Sequence, residues 1–555
     1  MSFFPHRHFS IVSRTKFPNL SNIPTRHRNL VIHEAQKALT DYLHGTRCLP
    51  FTYAEQISNN TLYSLTNLIS KVNFSAPTFS KNINKVLRFH PINEFEVFFE
   101  SIGIDYNLVS HLLPNDKMFF SQDGTLLEAA CTLYNFGFPW EKLGVLYMEK
   151  SYIFRRSGEE LKSRLCGFKR FGFGNVEVIG ICLAFPFVLV EEEGEMGVVG
   201  IDGLFSDLKL IFLDFSLASS VEGNVDSWHE VCRKLRLFFD LNGWKGKVGE
   251  LMGRNKSIFV EHKEEELVHK VEYFCRFGAK KEEVALLILL CPELLKLDLE
   301  KPVINVLELL KHFGISSKDL EDVRENFGHV LGTNKMVNLP NVMRALGLQE
   351  WFFDKIKGGD HRLLPDYITS YSNEDRDKDY QDGLSRILVS RARVHSIKKL
   401  NFLHGLGFGE NALTMNLLDR LHGTSSELQE RFDCLLRSKI EFSKLCLMVR
   451  KTPRILNQNY EIIERKVNFF NKEMGTTLDY LENFPAMLHY HLEDRIIPRF
   501  RFHMWLTENG LSRKTYSIGN MIIINEKKFV ARVFKIHPAA PKHWFDQFCR
   551  RKFPM

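Results

Sequence analysis

The chain has 555 residues and a formal net charge of +7, with 44% hydrophobic and 25% charged residues. These proportions allow a large apolar core and exclude a wholly disordered chain. With 34 Gly and 19 Pro, collagen-like and low-complexity chains are excluded as well. The apolar run 178–190 contains Pro186 and is too short to span a bilayer, so no membrane insertion is expected.

Charge is distributed unevenly. Residues 1–33 hold five basic side chains (Arg7, Arg14, Lys16, Arg26, Arg28) and no acid. Arg, Ser and Phe without acids is the composition of a transit peptide, so 1–40 is expected to be a disordered organellar leader. A basic tail is the alternative. Residues 41–80 form an Asn- and Ser-rich, poorly repetitive lead-in. At the other end, 495–555 carries 13 Lys or Arg against three acids, which leaves a net −8 for 34–494. None of the ten cysteines is spaced C-x-x-C, and most lie in apolar runs, as reduced core thiols do.

A repeat organises the middle of the chain. Apolar helical runs end at FPFVL (185–189), CPELL (291–295), TPRIL (452–456) and FPAML (484–488), each with Pro three residues ahead of Leu. Gly328 and Ser257 head degenerate copies. A Gly lies 14 residues upstream in Gly172/Pro186, Gly278/Pro292 and Gly314/Gly328; Gly137/Ser151, Gly243/Ser257 and Gly347/His361 keep the spacing. Lys439/Pro453 keeps it without the Gly, and Pro485 marks the last copy. Each unit reads as an amphipathic helix stopped by Gly, a second helix, and a turn started by Pro. Val303, Val306, Leu307 and Leu310 predict one such helix, closed by Gly314. Two helices cannot bury their apolar faces alone, whereas stacked units can. The 47 Phe, many just ahead of the Gly or Pro positions, are expected in the interhelix core.

The organisation predicted is an all-α helical-repeat solenoid. It has N-terminal repeats over 81–190, an acidic, Gly-rich insertion or atypical repeat over 191–227, and central repeats over 228–357. A polar loop over 358–383, C-terminal repeats over 384–510 and a basic helical segment over 511–555 follow.

The Gly–14–Pro–3–Leu unit resembles that of the mitochondrial transcription termination factor (mTERF) family. The resemblance is most specific over 466–500, in Met474-Gly475, Phe484-Pro485-Ala486, Leu492-Glu493 and Arg495-Ile496-Ile497-Pro498-Arg499. It implies a plant organellar protein whose curved two-helix-plus-3₁₀ repeats bind nucleic acid and regulate gene expression, including transcription termination. The expected partner is organellar double-stranded DNA, and the expected location the mitochondrion, with the chloroplast as alternative. An RNA-processing or group II intron-splicing factor is the second reading, and a protein-interaction scaffold the third. A monomer is expected, working with proteins of the transcription or splicing machinery.

Three basic clusters are candidate phosphate contacts: Arg391, Arg393, Lys398 and Lys399; Arg450, Lys451 and Arg454; and Arg495, Arg499, Arg501, Arg513 and Lys514. Arg495 and Arg499 stand out because they also belong to the matched signature. No P-loop, H-E-x-x-H or G-x-S-x-G motif is present, and GLGFG at 405–409 reads as a repeat turn. The reading is therefore of a non-enzyme with no cofactor and no metal.

Overall fold

Glycine ends a helix cheaply because it enters the left-handed region that other residues avoid. The computed structural model describes residues 20, 23–190, 200–241, 248–300, 303–369, 377–475, 478–511 and 517–549. In it Gly137, Gly172, Gly278, Gly314 and Gly347 have φ of +120°, +93°, +89°, +77° and +71°. Gly103, Gly407, Gly475 and Gly510 take the same region and extend the series at both ends. Gly243 lies outside the described residues.

The closing turns share one backbone solution. Pro186–Leu189, Pro292–Lys296, Pro453–Asn457 and Pro485–His489 are 3₁₀ turns that start at the proline. The residues ahead, Phe185, Cys291, Thr452 and Phe484, have φ of −125°, −129°, −141° and −129° and are non-helical, as a following proline demands. Lys150 takes φ −141° ahead of the 3₁₀ turn Ser151–Arg155 with no proline after it. Packing of the unit thus sets the turn, and proline only favours it. The Leu three residues on is a plug: Leu189, Leu295, Leu456 and Leu488 are all buried. The degenerate copies differ, since Ser257 opens a short α-helix and Gly328 a plain turn.

Lys439 stands where the spacing lacks its Gly, and its φ is +66°. An L-residue in that region costs about 1–2 kcal/mol. Lys439→Gly is expected to raise stability by about 0.5–1 kcal/mol net of the freedom it adds to the unfolded chain. The check is a higher urea midpoint at unchanged m; a lower midpoint would contradict it.

Contacts divide the chain into two units, Met1–Val268 and His269–Met555. Phenylalanines tie successive helices together within each. In the first unit Phe205 receives Phe168 and Phe171 at 4.3 and 5.2 Å between ring centroids. In the second, Phe352 receives Phe277 and Phe313 at 5.5 and 4.9 Å. The C-terminal helices close over Phe502, Leu506, Met521, Phe529, Val533 and Trp544.

Four sequence expectations change. Arg28–Asp41 is a helix that buries Val31, Ala35, Ala38 and Leu39 against the helices Phe51–Asn59, Leu62–Ser70 and Phe79–Phe89. Residues 28–40 therefore belong to the fold and not to a disordered leader, most of which lies outside the described residues. Within 191–227, the helix Gly200–Lys209 and the π-turn Leu210–Asp214 bury Leu204, Phe205, Leu208, Ile211 and Phe212. Among the described residues, the extra length between Gly172 and Gly243 is this helix with its π-turn and the 3₁₀ turn Leu217–Ser220. Residues Val303–Asn305 pair antiparallel with Thr333–Lys335. The helix starts only at Val306, because the Asn305 side chain accepts from the Leu307 and Glu308 amides (3.2 and 3.4 Å). Finally, the expected polar loop 358–383 contains the 3₁₀ turn Asp360–Leu363 and the helix Leu364–Thr369, with His361, Leu364 and Tyr367 buried.

Candidate nucleic-acid interface

The helix Arg393–Gly405 buries Leu400, Phe402 and Leu403 and leaves Arg393, His395 and Lys398 exposed, with Arg391 exposed just ahead of it. The helix Ser425–Arg437 approaches with its N-terminus. A capping box starts it: Thr424 Oγ1 accepts from the Glu427 amide (3.3 Å), and the Thr424 amide donates to Glu427 Oε2 (2.7 Å). Arg391, Ala392, Val394, His395, Lys398, Thr424, Ser425 and Ser426 line a surface cleft of about 440 Å³ between these elements. Two permanent cations, an imidazole and a helix N-terminus facing one cleft suit a phosphate. Glu427 tempers the field there. The Thr424 amide and then the Thr424 hydroxyl hold its carboxyl below the usual range, with nearby Arg431 and His395 assisting.

The other candidates divide by what they touch. Lys399 is turned inward and donates to the Leu421 carbonyl (3.0 Å), and burial lowers its pKa. Arg450 donates to the Asn326 carbonyl at the end of the helix Ser317–Asn326. Lys451, Arg454 and Arg501 are exposed. Arg513 and Lys514 lie outside the described residues.

Arg495 and Arg499 require a correction, because the fold uses both. Arg495 Nε donates to the Ile522 carbonyl (2.9 Å) and Nη2 to those of Ile523 and Ile524 (2.8 and 2.7 Å), with its guanidinium 3.6 Å from the Tyr490 ring centre. Arg499 is 1% exposed; its Nη1 donates to the Met521, Ile522 and Ile524 carbonyls (2.9, 3.1 and 2.6 Å) and its Nη2 pairs with Glu526. These carbonyls lie at the C-terminal end of the helix Ile518–Ile523, where the last four lack intrahelical partners. A guanidinium so occupied and buried is not available to a phosphate.

A repeated device explains where much of the basic charge goes. Lys234 donates to the Phe259 carbonyl (3.1 Å), Lys270 to Leu297, Arg431 to Leu456 (3.0 Å) and Lys466 to Leu488 (2.9 Å). In each case a cation midway along the first helix of a unit reaches the closing turn, as Lys399 does. Burial lowers the Lys466 pKa to about 8. The signal was present in the sequence as an apolar stripe with one cation inside it. It reads Val231-x-x-Lys234-Leu235-x-x-Phe238, and recurs at Leu267/Lys270/Val271/Phe274, Leu428/Arg431/Phe432/Leu435 and Ile463/Lys466/Val467/Phe470.

Helix pairs closed by a left-handed residue and a 3₁₀ turn, braced by an internal cation, define a helical-repeat protein of the solenoid class. The chain belongs to the mTERF family. The family's model, described as mTERF, matches residues 221–350 and 386–530, and the unmatched interval encloses the 3₁₀ turn and helix at 360–369. Over 530 residues, 96% of this chain and 95% of the relative, the sequence is 51% identical to Transcription termination factor MTEF18, mitochondrial, of Arabidopsis thaliana. Shorter matches are to two other proteins of that plant. One is Transcription termination factor MTERF8, chloroplastic (25% over 157 residues, 26% of this chain and 30% of the relative). The other is Transcription termination factor MTERF15, mitochondrial (30% over 84 residues, 15% and 19%). No solved structure matches. No described helix is long and apolar enough to cross a membrane.

Proposed function

We propose that this chain regulates transcript formation in the mitochondrion, termination included, by gripping the phosphate backbone of double-stranded DNA at the Arg391–Lys398 cleft. It is a mitochondrial member of a family of transcription termination factors, and its role lies in organellar gene expression. The observation that carries the reading is the convergence of Arg391, His395 and Lys398 on the N-terminus of the helix Ser425–Arg437. A second observation favours duplex over single strand. Unpaired bases are held by stacking on exposed aromatic rings. On the two helices that flank the cleft, Phe402 and Phe432 are buried, and no Phe or Tyr is among the described residues that line it.

The experiment is a titration of the full chain with duplex DNA, duplex RNA and single-stranded RNA at several salt concentrations. Arg391→Glu with Lys398→Glu is expected to weaken duplex-DNA binding at least about tenfold at low salt. It should also flatten the log–log salt dependence by about two phosphate contacts. Unchanged affinity would remove the cleft from the interface. A preference for single-stranded RNA would turn the reading toward transcript processing or splicing.

A further inference from the structure

We propose a second site, unrelated to the basic cleft, at which Cys291, Glu293 and His361 bind a thiophilic divalent cation such as Zn²⁺. Two closing turns supply it. Cys291 immediately precedes Pro292, and Glu293 is the next residue of that 3₁₀ turn. His361 holds the corresponding position in the Gly347 unit, on the 3₁₀ turn Asp360–Leu363. Cys291 Sγ, a Glu293 carboxylate oxygen and a His361 ring nitrogen all lie within 4.8 Å of one another.

The imidazole is already oriented for a ligand. Its Nδ1 is 3.2 Å from the Ile356 carbonyl, which can only accept, so Nδ1 carries the proton. A backbone carbonyl on the far nitrogen is the usual support of a metal-bound histidine. Nε2 then faces Glu293 Oε1 at 3.0 Å, another group that only accepts when ionised. Two lone pairs at that distance need a cation between them, either a proton or a metal. The proton satisfies His361 and Glu293 alone. The metal also recruits the Cys291 sulfur; thiolate, imidazole and carboxylate are each zinc ligands, and three protein ligands leave the fourth position to water.

Access and charge fit as well. His361 is buried, Cys291 half-buried and Glu293 exposed, so an ion enters from solvent past the carboxylate. Burial and then Glu293 push the Cys291 thiol up, with nearby Arg362 opposing them only in part, so the thiolate forms as the cation binds. As the metal binds, the thiol proton and the proton shared by His361 and Glu293 leave to solvent. The bound ion would tie the turn at 292–296 to that at 360–363 within one unit.

The test titrates the full chain with Co²⁺, which reports tetrahedral sulfur ligation through its visible bands and a thiolate charge-transfer band. One equivalent is expected to bind with both signatures, to be displaced by Zn²⁺, and to raise the thermal midpoint. Cys291→Ser should abolish the charge-transfer band and weaken Zn²⁺ by more than about 100-fold, beyond what loss of an outer-shell partner costs. Glu293→Gln changes an exposed group. It should weaken Zn²⁺ about tenfold or more with circular dichroism unchanged, whereas Cys166→Ser, at an exposed cysteine elsewhere, should alter nothing. Wild-type protein that shows no charge-transfer band would overturn the site. So would a band and affinity that survive both Cys291→Ser and Glu293→Gln.

Discussion

Replacing Arg499 with methionine is expected to cost about 1–3 kcal/mol and to loosen the segment 517–526 selectively. Methionine fills much of the same volume and keeps the apolar contact with the Phe529 ring, over which the guanidinium carbon sits at 4.2 Å. What it cannot replace are the hydrogen bonds to the Met521, Ile522 and Ile524 carbonyls. A buried acceptor left without a donor costs about 1–3 kcal/mol; the Met521 carbonyl is left so, while those of Ile522 and Ile524 keep Arg495. The apolar swap is often harmless when both members of an ion pair go, but here the partners are backbone and remain. Arg499→Lys should recover only part of the loss, since an ammonium lacks the planar fork. Urea denaturation gives the magnitude, and amide exchange locates it. A loss under about 1 kcal/mol, or uniform loosening of the whole unit, would refute the bracing role. Nucleic-acid affinity per folded molecule should stay at the wild-type level, which separates Arg499 from Arg391 and Lys398.

Acid is expected to destabilise both units, by about 2 kcal/mol each between pH 7.5 and pH 5, through His229 in the first and His329 in the second. Burial, with Lys142 and Arg233 adding to it, lowers the His229 pKa to about 3. Burial and then Arg450 do the same for His329, whose two ring nitrogens have no hydrogen-bond partner among the described residues. Both histidines are neutral in the fold, while in the unfolded chain they take up a proton below about pH 6.5. Stability is therefore flat above that pH. It falls by about 1.4 kcal/mol per pH unit for each histidine as the pH drops toward 3. His329→Met isolates one contribution, because it removes the titrating group and leaves no orphaned nitrogen. The difference in unfolding free energy between variant and wild type should grow by about 2 kcal/mol from pH 7.5 to pH 5. A pH-independent difference would mean that His329 titrates in the fold as it does in the unfolded chain.

The repeat was legible because its markers act locally. Left-handed glycines and the restriction that proline places on its predecessor are steric facts of a few bonds. Spacing alone thus located Gly172, Gly278, Gly314 and the four proline turns. Lys439 shows the limit of that reading, since the unit imposes the left-handed conformation even on a residue that resists it. The helix at Gly200–Lys209 is hidden by the acidic, Gly-rich stretch ahead of it, and Arg28–Asp41 by the basic, acid-poor segment it follows, since its buried face is only Val31, Leu39 and small residues. Site assignment was harder for a different reason. A phosphate and a backbone carbonyl both select a cation, and the sequence displays the cation without its partner.

The sequence by itself determined the repeat, the family and the placing of much of the Phe excess between helices. The repeat and the Phe placement follow from local sterics and from the need of each helix pair to bury one face, and the family from the resemblance carried by the signature at 466–500. Only the tertiary structure decided which basic residues are free. Lys399, Arg495 and Arg499 spend their charge on carbonyls 22 to 29 residues away, whereas Arg391 and Lys398 meet the start of a later helix at an open cleft. The same long-range folding brings Cys291 and Glu293 to His361. Such meetings depend on how distant turns stack, and the chain between them carries no mark of its partner.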